Sequence, residues 1–184
     1  MTMLILGLIV FFATHLIPAM PAIKQGLISR LGDKIYQGLF ALASLAGFVL
    51  IVWGMVRAPE IEVWQPPAWG RTAAPLLMLL ALYSLAAKDM PSNLKRLTRH
   101  PMLWGVALWA TSHLLNNGDQ ASILLFGGFL LYALFDMWSA NRRGAVKSTV
   151  HYPLTQELKT VVTGIVVYAV LLFLHPYLFG VAVI

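Results

Sequence analysis

Residues 99–113 read RHPMLWGVALWATSH, a hydrophobic run with a histidine at each end. Pro101 suits the first position of a helix, and the apolar residues after it predict a helix from 101 to about 115. An apolar segment that keeps a polar side chain at membrane depth has a partner or a task for it, so fold and function are both read from here.

The rest of the chain repeats this character. Of its 184 residues, 59% are hydrophobic and 11% charged, and the mean hydropathy is +0.77, far from the balance of a soluble domain. Spanning the hydrocarbon takes about 20 mostly apolar residues. Candidate spans follow one another at about 3–20, 36–56, 73–87, 101–115, 121–139 and 160–179. The expectation is an all-α, polytopic bundle of about six transmembrane helices forming one domain over 1–184. The opening Met1–Val10 lacks a basic leader and a cleavage site, so it reads as part of a retained span.

Details between the spans fit this reading. Ile23, Leu27 and Leu31 share a face of residues 22–33, which suits a short helix lying in the interface. Gly38, Ala41, Ser44 and Gly47 permit close approach to the second span. Pro75 is expected in the first turn of the third. The break at 57–70 holds Trp64 and Trp69, an aromatic interfacial belt.

Charge sets the topology. The odd breaks carry eleven Lys and Arg residues and the even breaks only Arg57 and Arg71, a bias that turns both termini outward, to the periplasmic side if the membrane is a bacterial inner membrane. The net charge of +6 is thereby explained by a lipid bilayer as partner, and nucleic acid by nothing. The absence of cysteine excludes disulfides and thiolate chemistry. No Gly-rich phosphate loop, Ser-His-Asp set or carboxylate pair suited to acid–base work is present, so no motif establishes an enzyme.

Few residues remain that carry chemistry. His113 lies twelve residues into its span, about 18 Å from the cytoplasmic end, and Gly105, Trp109 and Asn117 share its face in a stripe able to accept a flat cofactor. His15 is the other deep histidine, at a depth differing by about 6 Å. Two imidazoles are too few for zinc but suit the axial positions of a haem iron. The alternative for each is a neutral histidine bonded to a neighbouring helix. His100 stands about 20 Å from His113 along the helix, so these two cannot share one metal. With Arg99, Lys95 and Arg96 it forms a cluster suited to carboxylate or phosphate, or a basic interfacial anchor. Asp136 is expected to pair with a loop arginine, and His151 and His175 read as loop or interfacial residues.

The run from Arg30-Leu31-Gly32-Asp33 into Tyr36, then Leu45-Ala46-Gly47 to Trp53-Gly54, and above all RHPMLWGVALWATSHLLNNGDQASILLFGG, resemble the NnrU family of integral membrane proteins, which is associated with denitrification and nitric oxide metabolism. The same domain is similar to zeta-carotene isomerase, a haem b membrane enzyme. That resemblance implies haem b, with axial ligands falling by motif position on His15 and His113, and Arg99 with nearby cations beside the propionates. A hydrophobic small molecule or nitric oxide is then the implied partner, with redox or isomerase activity. Ala110 stands where the isomerase has a cysteine, an alternative ligand that this chain lacks. Arg99-His100-Pro101 with Gly105 also resembles the cofactor motif of membrane methyltransferases, which implies S-adenosylmethionine bound at Arg99, His100 and Gly105. Their glutamate-rich motif after the next span is replaced here by Asn141-Arg142-Arg143. A third reading is a non-enzymatic factor for maturation of respiratory complexes.

Overall fold

The structure is a computed structural model that describes residues 1–181 and 183. The described residues form eight α-helices and no strand: α1 (Thr2–Leu16), α2 (Pro21–Leu31), α3 (Asp33–Val56), α4 (Trp69–Asp89), α5 (Leu94–Leu97), α6 (Pro101–Leu114), α7 (Gln120–Arg142) and α8 (Leu154–Phe179). One compact unit comprises 1–63 with 119–128, the other 64–118 with 129–184. Five helices, α1 with its 3₁₀ extension, α3, α4, α7 and α8, are long and apolar enough to cross a membrane. Their large side chains face outward, Val56 at 78% and Phe173 at 70% exposure among them, which is stable only where hydrocarbon rather than water surrounds them.

In the first unit α1 and α3 form an antiparallel pair. A methyl group added at Gly7 would lie 2.6 Å from the Ile51 nitrogen, one at Gly47 would lie 2.8 Å from the Phe11 nitrogen, and one at Gly54 would run into the Leu4 backbone. Close backbone approach replaces the hydrophobic drive that helices lack in lipid. Gly47 thus does what its type suggests, whereas Gly38 has nothing within 4 Å of where a Cβ would stand; its helix face points away from α1. α2 buries no residue, in keeping with a helix on the surface.

In the second unit α4 and α6 are antiparallel. Gly70 packs against the Leu115 carbonyl at one end, and Gly105 packs against Ala81 and Leu85 nearer the other. This contact draws the start of α4 back to Trp69, so Pro75 lies inside the helix rather than in its first turn and one backbone hydrogen bond is forgone. α6 has 14 residues, about 21 Å of helix. It is shorter than the other five, yet its register follows α4 from Gly70 to Leu85. Leu103 and Ala107 of α6 bury against Ala133 and Met137 of α7, and Gly164 of α8 meets the Tyr83 backbone of α4.

Candidate functional site

His15 occupies the last turn of α1. Its Nδ1 is 2.8 Å from the Phe11 carbonyl, and its ring stacks on Phe11 at 4.0 Å between centroids and tilts against Phe40 at 5.3 Å. A carbonyl oxygen only accepts, so Nδ1 carries a proton and acts as the donor of this bond.

His113 repeats this arrangement in the second unit. It lies in the last turn of α6, with Nδ1 2.9 Å from the Trp109 carbonyl and the Trp109 ring 5.3 Å away. Trp109 in turn makes an edge contact with Phe129. The stripe expected on this face is interrupted. Gly105 is covered by α4, where a Cβ would lie 2.8 Å from the Leu85 side chain and 2.9 Å from the Ala81 carbonyl. Asn117 does not line a pocket wall either: its Nδ2 donates to the His113 carbonyl at 2.8 Å, closing the helix C-terminus where carbonyls lack intrahelical donors. His113 therefore marks the exit of α6 rather than its middle.

Both histidines are thus oriented by the backbone of their own helix, as metal-bound imidazoles commonly are by a second hydrogen bond. Among the described residues no three His, Asp or Glu side chains gather to hold a bare metal ion. An imidazole held in this way suits an axial position of a metal that brings its own equatorial ligands, as haem iron does.

The opposite end of α6 is a separate site. His100 is the N-cap residue, its backbone N–H donating to Thr98 Oγ1 at 3.1 Å. Arg99 Nη1 and His100 Nε2 each lie 3.0 Å from Asn141 Oδ1, so one neutral oxygen accepts from both. They form the wall of a cleft of about 520 Å³ together with Lys88, Lys95 and Lys147. Asp136, as expected, pairs with the arginine just past its helix, Arg143, at 3.6 Å.

Sequence reasoning missed the group that orders this end. Glu157, in the first turn of α8, accepts from Tyr83 Oη at 2.6 Å and Ser92 Oγ at 2.8 Å through one oxygen, and from the Asn93 backbone N–H at 2.5 Å through the other. Asn93 exchanges two further bonds with the Tyr152 backbone, at 2.9 and 3.0 Å. The Ser148 N–H donates to the Lys95 carbonyl at 2.9 Å. The linker 90–100 is thereby clasped to the segment 146–157. A lone glutamate at the head of an apolar helix was the one available signal.

Comparison with known proteins agrees with the resemblance read from the motifs. The family model described as "NnrU protein" matches residues 3–183. A curated relative, the chloroplastic 15-cis-zeta-carotene isomerase of Zea mays, is 24% identical over 73% of this chain, which spans 42% of the relative's length. No solved structure matches.

Proposed function

The chain belongs to the NnrU family, and on that premise we propose that it is an integral membrane protein holding haem b through His15 and His113, in the service of nitrogen-oxide metabolism. The observation that carries this reading is the recurrence of one local geometry at two histidines distant in sequence: Nδ1 donates to the carbonyl of an aromatic residue four positions earlier, which orients each ring from its own helix. Haem b, once bound, supplies one-electron redox chemistry and an affinity for diatomic gases such as nitric oxide. The chain's part is to hold and orient the two imidazoles, while Phe11, Phe40, Trp109 and Phe129 keep their surroundings apolar. The curated relative is named for a hydrophobic substrate, so a hydrophobic small molecule stands beside nitric oxide as the partner. The family's association with denitrification suggests a bacterial cytoplasmic membrane, in which the charge bias turns the basic loops inside.

The S-adenosylmethionine reading gains nothing from Gly105, whose open side is taken by α4. The absorption spectrum of the full chain, purified from haem-replete cells and recorded oxidised and reduced, tests the haem reading. A Soret band is expected that disappears in His15→Ala and in His113→Ala but persists in His151→Ala. Colourless wild-type protein, or a band indifferent to both substitutions, overturns it and leaves the maturation-factor reading.

A further inference from the structure

We propose that the cleft between the end of α4 and the start of α6 binds the phosphate of an anionic membrane phospholipid, with an acyl chain lying against Met102 and Leu103. This site is independent of the haem reading: His113 stands at the other end of α6, about 20 Å along the axis from His100, which is too far for Arg99 to meet the propionates of a haem ligated there, the place the resemblance implied for it.

The cleft's walls have two kinds of surface. Lys88, Lys95, Arg99 and Lys147 bring positive charge, while Pro101, Met102, Leu103 and Val146 form an apolar side, and no carboxylate lines it. Such a combination suits an amphiphile lying at the membrane boundary better than a soluble anion, which has no use for the apolar side. The cations also keep their charge. Among the described residues Lys95, Arg99 and Lys147 have no carboxylate within 4 Å; the ion pairs are Lys88 with Asp89, at 3.8 Å and exposed, and Arg143 with Asp136. Four like charges around one space repel one another unless an anion joins them.

Asn141 sharpens the argument. Its Oδ1 accepts from both Arg99 and His100, orienting them as an aspartate would but without cancelling their charge. The walls are also held before any ligand arrives. The Lys95 carbonyl accepts from the Ser148 N–H, and the Glu157 clasp fixes Ser92 and Asn93 just upstream. The volume, about 520 Å³, is on the scale of small-ligand sites, ample for a phosphate headgroup. The cleft sits at helix ends, where lipid phosphates lie.

Native mass spectrometry of the full chain, released from neutral detergent micelles and titrated with dioleoylphosphatidylglycerol or dioleoylphosphatidylcholine, tests this. Wild-type protein is expected to retain the anionic lipid over the zwitterionic one by at least about tenfold. The double variant Lys95→Gln/Lys147→Gln, and separately Asn141→Asp, which keeps the shape and adds a negative charge, should each bring the two lipids close to parity. The control Lys24→Gln/Lys34→Gln removes the same charge from the exposed region of α2 and α3 and should leave the preference intact. Equal retention of both lipids by wild type, an undiminished preference in the cleft variants, or an equal loss in the control overturns the proposal. Inorganic phosphate added in large excess should leave the lipid bound; full displacement would assign the cleft to a soluble anion and overturn it likewise.

Discussion

Glu157 receives three donors from a stretch more than sixty residues earlier in the chain: Tyr83 Oη, Ser92 Oγ and the Asn93 N–H. Ser92 is fully buried, and although its hydroxyl keeps its contacts with Tyr83 Oη and the Leu94 N–H, removing the carboxylate takes away the acceptor of the Asn93 N–H and of the Tyr83–Ser92 hydroxyl pair. Glu157→Ala is expected to cost about 1–3 kcal/mol, the scale of unsatisfied buried polar groups, and Glu157→Gln less, since an amide oxygen still accepts. Thermal unfolding in detergent should show the order wild type, glutamine, alanine; equal midpoints for all three would show that the clasp does not stabilise. Nothing local in residues 154–160 announces these partners. His15 and His113 are the reverse case, because their acceptors, Phe11 and Trp109, lie one helical turn back and follow from spacing alone.

Helix pairing shows why residue type is an incomplete guide. Gly38 and Gly54 both lie in α3, but only Gly54 abuts Leu4 of α1. Gly54→Ala should therefore lower the melting temperature, as the backbones must part. Gly38→Ala should leave it unchanged or raise it, with helix propensity favouring alanine by about 1 kcal/mol. A loss of stability at Gly38 matching that at Gly54 would contradict the α1–α3 register. The same logic reassigns Gly105, a motif glycine by sequence and a packing glycine against α4 by structure. α6 is short because Asn116 and Asn117 cap it, their amide groups donating to the Ser112 and His113 carbonyls at 2.7 and 2.8 Å.

For the whole molecule, orientation is the open property with the clearest test. The chain contains no cysteine, so single cysteines report without a background. Ser29→Cys and Lys147→Cys, on basic breaks, should resist a membrane-impermeant maleimide in intact cells and react after permeabilisation. Glu60→Cys, on the Trp64 loop, should react in both. Labelling of 29 and 147 in intact cells would reverse the topology expected from the eleven-to-two distribution of Lys and Arg.

Hydropathy, charge bias and proline positions determined from sequence alone that the chain is an all-α membrane protein, where its long helices run, and which histidines they carry. Those signals are local: a span is legible within about 20 residues, and an i−4 acceptor within one turn. Tertiary structure alone decided that Asn141 gathers Arg99 and His100, that Glu157 clasps residues 83–93, and that Gly54 rather than Gly38 meets α1. Each of these joins positions some forty to seventy residues apart. In a chain whose long helices are apolar on every side, no amphipathic face indicates which neighbour each will meet.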